Sequence, residues 1–141
     1  VVDDFNSIYN SKRGISIKLK TNGASDYIIL GIENRIEQII ANLLENSISF
    51  SKDDQEIQVE LTKKDNGKIN LNVIDQGDGF KEKDKNKIFN RFYSNRPDKF
   101  GEHSGLGLNI VKNLVDLHNG QILATNNKNK GAKIEIIFPK A

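Results

Sequence analysis

Three short stretches of this 141-residue chain carry the side chains that could do chemistry. The first is N-L-L-E-N-S, from Asn42 to Ser47; the second is D-Q-G-D-G, beginning at Asp75; the third is S-G-L-G-L, beginning at Ser104. Together they supply two amide side chains, a carboxylate beside a glycine turn, and a second glycine turn. These groups suit a metal ion, a purine and a run of phosphates, so the chain is interpreted as a nucleotide-binding domain.

Asn42 and Asn46 are four residues apart and therefore share one face of a predicted helix, away from its apolar stripe. Asparagine is a poor helix former, so two of them in a helix interior need a reason. Their amide oxygens could coordinate a hard cation such as Mg²⁺, which takes few protein ligands. The alternative is a solvated polar face.

Asp75 follows an apolar strand and precedes two glycines. A carboxylate in that position can accept a hydrogen bond from an exocyclic amino group, which would select adenine over guanine. Gly77 and Gly79 would let a flat ring or a sugar approach the backbone. The alternative is a turn closed by an aspartate cap.

Gly105 and Gly107 open the last long predicted helix. The first amide groups of a helix lack intrahelical partners, and the helix dipole adds positive charge, so this turn is a natural phosphate seat. An ordinary N-cap formed by Ser104 is the alternative. No Gly-Lys-Ser/Thr follows, so the turn is not a Walker loop.

The elements that must position these residues mix helices and strands without a regular βαβ order. Apolar residues every three to four positions predict a helix over 33–50 and another over about 106–118, with Gly120 as the C-cap of the second. Strands are predicted at 15–19, 27–30, 56–63, 68–74, 121–125 and 132–138. The class is therefore α+β, an open sheet with helices on one face.

Two remaining segments are less regular. Residues 1–12 have apolar side chains at helical spacing and are interpreted as the end of a preceding linker helix. Residues 80–103 have a short amphipathic piece and then no periodicity, which is typical of a functional lid or a disordered loop. His118 ends the apolar helix, and a structural or capping role is predicted for it.

Composition excludes several classes. With 36% hydrophobic and 28% charged residues, the chain is interpreted as a single globular domain over 1–141. It contains no cysteine, which excludes disulfides and thiolate metal sites. No apolar run approaches the ~20 residues that span a bilayer. Its 21 basic and 19 acidic residues give a charge of +2, which is no electrostatic footprint for nucleic acid.

Five blocks in this order resemble the catalytic and ATP-binding domain of bacterial sensor histidine kinases. That domain belongs to the Bergerat, or GHKL, superfamily, together with DNA gyrase, heat-shock chaperones and mismatch-repair ATPases. The blocks are Asn42–Ser47 (N box), Asp75–Gly79 (first glycine box), Ile88–Tyr93 (F box), Ser104–Leu108 (second glycine box) and Leu117–Gly120. The segments N-S-I-S-F-S, R-F-Y-S-N-R-P and F-G-E-H-S-G-L-G-L are most similar to those of alphaproteobacterial kinases of the ChvG type.

The resemblance implies a two-layer sandwich, in which a mixed sheet of about five strands is covered on one face by about three helices. It implies ATP and Mg²⁺ as cofactors, with Asp75 on the adenine amino group and Asn46 and Asn42 on the metal. Asn42, Asn46 and Arg91 are the implied catalytic residues. The implied nucleotide-binding residues are Asn42, Asn46, Asp75, Gly77, Gly79, Phe89, Arg91, Tyr93, Arg96, Ser104, Gly105, Leu106, Gly107 and Leu108.

Two departures concern charge at the phosphates. Many members of the family carry basic residues where this chain has Ser49 and Ser94. Arg91 or Arg96 is the alternative source of positive charge.

Position 42 separates the branches of the superfamily. ATP-hydrolysing relatives, and usually the anti-sigma serine kinases, have a glutamate there, whereas Asn42 cannot take a proton. Asparagine favours a histidine kinase. The alternative functions are a serine kinase or ATPase of the same superfamily, or a nucleotide-binding regulatory module without catalytic output.

The implied partners lie outside this chain, which has no H-E-x-x-x-P phosphoacceptor motif and is therefore expected to be a fragment or an isolated domain. The acceptor histidine would lie on a dimerisation domain of the same full-length kinase, a homodimer that passes the phosphate to a response regulator. The chain would be a cytoplasmic domain of an inner-membrane sensor. It would meet the membrane only through the missing part of that protein.

Overall fold

The computed structural model describes residues 2–24, 26–80, 88–89, 107–127 and 131–141. Within these residues it contains three helices and five strands. In chain order they are α1 (Val2–Arg13), β1 (Ser16–Thr21), α2 (Glu33–Phe50), β2 (Glu56–Lys63), β3 (Ile69–Ile74), α3 (Gly107–Leu117), β4 (Gln121–Asn126) and β5 (Ala132–Phe138).

The five strands form one mixed sheet in the order β1-β2-β3-β5-β4. β1 runs parallel to β2, and the β2–β3, β3–β5 and β5–β4 pairs are antiparallel. The consecutive strands β2 and β3 form a hairpin. Gly67 adopts φ +84° there, a conformation that glycine takes without strain.

One face of the sheet makes the core. Val59, Val73 and Ile134 lie opposite one another on three neighbouring strands, and each is at most 3% exposed. They belong to the same buried cluster as Ile39 and Leu43 of α2. Because side chains alternate along a strand, the intervening positions face the other way, and many of these are charged or amide residues. The predicted two-layer α+β sandwich is confirmed.

Helix α1 packs beside β1 and covers its open edge. The Asn6 side-chain oxygen accepts a hydrogen bond from the Ile17 N–H (2.7 Å), and its Nδ2 donates to the Ile17 carbonyl (2.9 Å). The amide thereby takes the place of a neighbouring strand, which is one way to protect a sheet edge from unwanted pairing. Whether this helix continues a linker helix stays a prediction.

The strand predicted over 27–30 is wrong. These residues belong to no strand, although Tyr27 and Ile29 pack against the core while Ile28 and Leu30 are 60% and 85% exposed. The alternation in the sequence therefore reflects one-sided packing of an extended segment. The Tyr27 hydroxyl donates to the Asn22 side chain (2.7 Å), which holds the segment without strand pairing.

The ends of the two long helices are fixed by contacts from elsewhere. The Arg13 guanidinium donates to the carbonyls of Ile48 (3.1 Å) and Ser51 (2.7 Å), so α1 caps the C-terminus of α2. After α3, the left-handed residue is Asn119 (φ 59°), and the C-cap predicted at Gly120 was one residue too late. Gly120 instead meets the sheet, because a Cβ there would lie 2.9 Å from the carbonyl oxygen of Ile137.

None of the helices in the described part of the chain combines the length and apolar composition that crossing a membrane requires.

Candidate nucleotide-binding site

Helix α2 presents the two asparagines as expected. Asn42 and Asn46 are half-buried and one turn apart, whereas Ile39 and Leu43 on the core side are fully buried. The side chains of Asn42 and Asn46 thus form a polar strip beside the core, called the amide strip below. Two amide oxygens on one strip are hard donors of the kind that Mg²⁺ accepts.

Ser49 occupies the position where a basic residue is common in the resembling family. Its side chain is 9% exposed, and its hydroxyl donates to the backbone carbonyl of Asn46 (2.8 Å). The hydroxyl is therefore turned back onto its own helix. Position 49 brings no positive charge to this face.

Asp75 lies immediately after β3 and is only 2% exposed. Its Oδ1 accepts hydrogen bonds from the N–H groups of Gly77 (2.9 Å) and Ala132 (3.1 Å). Its own N–H donates to the Ala132 carbonyl (3.0 Å). Backbone donors to a carboxylate are strong hydrogen bonds, so the orientation of this buried acid is set by the turn and by β5.

Gly77 joins the first two motifs in space. A Cβ at this position would overlap the carbonyl oxygen of Phe50, the last residue of α2. The Asp75 turn therefore packs directly against the end of α2, about one turn beyond Asn46. The sequence predicted a glycine here for the approach of a ligand, and the structure adds close packing of backbone on backbone.

Gly79 is required by its own conformation. It has φ +81°, and a Cβ would lie 2.8 Å from the side-chain oxygen of Asn126. That same oxygen accepts from the Phe80 N–H (2.7 Å), while Asn126 Nδ2 donates to the Phe80 carbonyl (3.1 Å). Asn126 at the end of β4 thus fixes the chain where it leaves the first glycine box.

Asn126 and Gly131 are the two site-supporting residues that the sequence did not reveal. Gly131 has φ +96° and lies so close to the Asp75 carbonyl that no Cβ would fit. The sequence predicted only that residue 131 lies between the last two strands. Nothing in the local sequence distinguished Asn126.

Helix α3 packs against α2 and begins at Gly107, which is exposed, with open space where a Cβ would stand. Leu108 is half-buried against the core. Asn109 Nδ2 donates to the carbonyl of Phe89 (3.1 Å), whose side chain is 7% exposed and belongs to the core. This bond ties the F box to the first turn of α3.

The described residues therefore bring together the amide strip of α2, the fixed Asp75 turn and the packed helix α3. Arg91, Tyr93, Arg96, Ser104, Gly105 and Leu106 lie outside the described residues. In the part that is described, no group of three or more His, Asp or Glu residues could hold a metal ion.

The two-layer sandwich, with the N box on α2 and the first glycine box after β3, defines the class of protein. It is an α+β nucleotide-binding domain of the GHKL type. Residues 31–141 match the family described as histidine kinase-, DNA gyrase B- and HSP90-like ATPase. The chain belongs to this family.

Two curated relatives are sensor proteins named ChvG. The chain is 40% identical over 118 residues to the one from Rhizobium meliloti (strain 1021), covering 82% of the chain and 20% of the relative. It is 33% identical over 153 residues to the one from Agrobacterium fabrum (strain C58), covering 100% of the chain and 26% of the relative. The chain thus spans about a quarter or less of these relatives.

Solved histidine kinase structures have the same fold. The catalytic domain of ThkA, in a nucleotide-free form, superposes with a TM-score of 0.84 at 26% identity, covering 99% of this chain and 89% of that one. Full-length ShkA in complex with AMPPNP gives a TM-score of 0.83 at 25% identity, covering 99% and 28%. ThkA in complex with the response regulator TrrA gives 0.80 at 26% identity, covering 99% and 38%.

Proposed function

We propose that this domain binds ATP with Mg²⁺ and donates the γ-phosphate to a histidine on the dimerisation domain of a full-length kinase. That kinase would be a homodimer and would pass the phosphate to a response regulator. Membership of the family and the names of the relatives support the ATP-binding part. The ThkA–TrrA complex supports the kind of downstream partner.

The observation that carries the proposal is the meeting of the Asp75 turn with the end of α2. Gly77 packs on the Phe50 carbonyl, so the turn that fixes the Asp75 carboxylate meets α2 about one turn beyond Asn46 of the amide strip. A purine and a metal-bound phosphate chain are parts of one nucleotide. The groups that bind them must therefore lie within a nucleotide's length of each other. Solvated asparagines alone would not require this arrangement.

Asp75 would accept a hydrogen bond from the adenine amino group. Guanine has a carbonyl oxygen at the corresponding ring position, which cannot donate to a carboxylate. Because Asp75 is already oriented by two backbone donors, little side-chain freedom is lost when adenine binds. ATP should therefore be preferred over GTP.

Asn46 and Asn42 would hold Mg²⁺ through their amide oxygens. A metal held there would supply positive charge beside the phosphate groups. The first amide groups of α3, with Gly105 to Leu108, would bind phosphate. Arg91 and Arg96 would supply the positive charge that Ser49 and Ser94 lack, and Phe89 and Tyr93 would border the nucleotide.

Asn42 favours phosphoryl transfer over hydrolysis because an amide cannot deprotonate water. This argues against an ATPase and against a serine kinase of the glutamate type. A nucleotide-binding regulatory module without transfer is the second candidate, since it would use the same pocket. As the relatives are named sensor proteins, we also propose that the domain is the cytoplasmic part of an inner-membrane sensor.

The decisive experiment supplies the acceptor separately. The chain is mixed with γ-labelled ATP, Mg²⁺ and the histidine-bearing dimerisation domain of the full-length kinase. Label should appear on that domain, in an acid-labile linkage typical of phosphohistidine. Replacing the acceptor histidine by alanine is the control.

ATP binding without any transfer would favour the regulatory module. Rapid phosphate release without an acceptor would favour the ATPase branch. Label in an acid-stable linkage, as on a serine hydroxyl, would indicate a serine kinase.

A further inference from the structure

His118 lies just after α3, is 7% exposed, and bonds to two different elements. Its Nδ1 is 2.7 Å from the carbonyl oxygen of Leu114, one turn earlier in α3. Its Nε2 accepts a hydrogen bond from the backbone N–H of Ile32 (3.1 Å), 86 residues away in the sequence. A carbonyl can only accept and an N–H can only donate, so the ring is neutral with its proton on Nδ1.

The partner of the ring is the start of α2. Ile32 is the N-cap residue of that helix, and its side chain makes no capping hydrogen bond. Gly31 packs on the same ring, because a Cβ there would lie 2.9 Å from Cδ2 and 3.1 Å from Nε2 of His118. The imidazole therefore fills the space at the entry to α2 and bonds to its cap.

This contact lies at one end of the α2–α3 pair, and the proposed nucleotide groups lie farther along both helices. Asn42 and Asn46 are about 15 and 21 Å from Ile32 at 1.5 Å per residue. Gly107 is at the opposite end of α3 from His118. Because a helix is stiff, a shift of α2 along its axis at Ile32 carries the asparagines with it.

We propose that His118 is a positioning residue of the nucleotide site. Its neutral ring sets the axial position of α2 relative to α3. As a result, Asn42, Asn46 and the first backbone amides of α3 can bind the same Mg-nucleotide. The role of this Leu114–His118–Ile32 link in nucleotide binding rests on the proposed function. Its geometry stands independently of that function.

Four variants of the chain test the link. His118→Phe keeps a ring but removes both hydrogen bonds, and His118→Gln retains one donor and one acceptor. Gly31→Ala leaves the histidine in place but presses a methyl group on its ring. Ile69→Val shortens a buried side chain of β3 that is not one of the linked residues, and it is the control for a general loss of stability.

Calorimetric titration with ATP and Mg²⁺ gives the first measurement. His118→Phe and Gly31→Ala should bind roughly three- to tenfold more weakly, as expected for the loss of one or two hydrogen bonds, while His118→Gln recovers most of the affinity. Ile69→Val should bind like the wild type. Wild-type affinity in both His118→Phe and Gly31→Ala, or an equal loss in Ile69→Val, would overturn the proposal.

Nuclear magnetic resonance gives a measurement that needs no nucleotide. The wild-type ring should show a protonated Nδ1 and a bare Nε2. The side-chain amide signals of Asn42 and Asn46 should move in His118→Phe and Gly31→Ala but not in Ile69→Val. If the wild type binds no nucleotide, the proposed function fails, and these amide shifts alone decide the link; unmoved signals would refute it.

If His118→Phe does not fold, Gly31→Ala provides the same comparison with the histidine intact.

Discussion

Asn126 holds the backbone of Phe80 by both ends of its side-chain amide. The oxygen accepts from the Phe80 N–H at 2.7 Å, and the nitrogen donates to the Phe80 carbonyl at 3.1 Å. The two residues are 46 positions apart, and Phe80 is 4% exposed. The phenyl ring packs edge-on against Phe50 at 6.0 Å, so this bond pair joins β4 to the end of α2 through Phe80.

Asn126→Ala should therefore lower the free energy of unfolding and weaken ATP binding together. Removing the amide takes away the partners of the partly buried N–H and carbonyl of Phe80, which costs about 1–3 kcal/mol. Urea unfolding measures the first effect and calorimetry the second. Asn127→Ala is the matched control, because residue 127 is exposed, and it should change stability by no more than about 0.5 kcal/mol. Equal effects of the two substitutions would contradict the role given to Asn126.

Asp75→Asn should weaken ATP binding by about 1.5–3 kcal/mol, the worth of a hydrogen bond to a charged group. The fold should survive, because the asparagine oxygen can still accept from Gly77 and Ala132. Titrations with ATP and GTP measure the change, and circular dichroism checks the fold. Asp78→Asn removes a neighbouring exposed carboxylate and should bind ATP like the wild type. Undiminished ATP affinity in Asp75→Asn would refute adenine recognition by this residue.

Asn46→Ala should remove the Mg²⁺-dependent part of ATP affinity and keep most of the metal-free binding. An amide oxygen is lost from the proposed metal ligands, while the adenine contact at Asp75 is unchanged. The measurement is ATP affinity with Mg²⁺ and with a chelator. Asn34→Ala, on the exposed first turn of the same helix, controls for changes in helix propensity. If the wild type, Asn46→Ala and Asn34→Ala show the same Mg²⁺ dependence, the amide strip is only a solvated face.

Gly77→Ala and Gly107→Ala should have opposite effects on stability. At Gly77 a Cβ would overlap the Phe50 carbonyl, and backbone cannot move aside, so the free energy of unfolding should fall by about 1–3 kcal/mol, as in other overpacked sites. At Gly107 a Cβ meets open space at the start of α3, and alanine favours a helix by up to about 1 kcal/mol. Urea midpoints compare the two. A stable Gly77→Ala protein would show that the α2–Asp75 contact is looser than described.

The sequence predicted the elements whose periodicity is set by the core. Helix α2 has the predicted bounds, because its isoleucines and leucines recur on one buried face. Residues 27–30 were predicted wrongly, since one-sided packing of Tyr27 and Ile29 produces the same alternation as a strand. The alternation alone does not distinguish the two cases, and in the structure residues 27–30 belong to no strand.

The chemical residues were visible in the sequence because their types are unusual for their positions, as with asparagines inside a helix. The contacts that hold the site together were not visible, although a structural or capping role was predicted for His118. The Asn126–Phe80 and His118–Ile32 bonds join positions 46 and 86 residues apart, and each is made to a backbone group that any residue type would offer. No local pattern marks such a bond.

The last prediction concerns turnover. The chain alone should release almost no phosphate from ATP and should not label itself, because phosphoryl transfer requires an aligned nucleophile in addition to a bound nucleotide. Asn42 cannot deprotonate water, and the sequence has no acceptor histidine motif. Asn42→Ala should therefore leave this near-zero hydrolysis unchanged, whereas transfer to a supplied dimerisation domain should fall as the metal-bound nucleotide is held less well. Labelled ATP reports both reactions in one assay. Robust phosphate release by the wild-type chain, abolished in Asn42→Ala, would instead place this protein in the ATP-hydrolysing branch of its family.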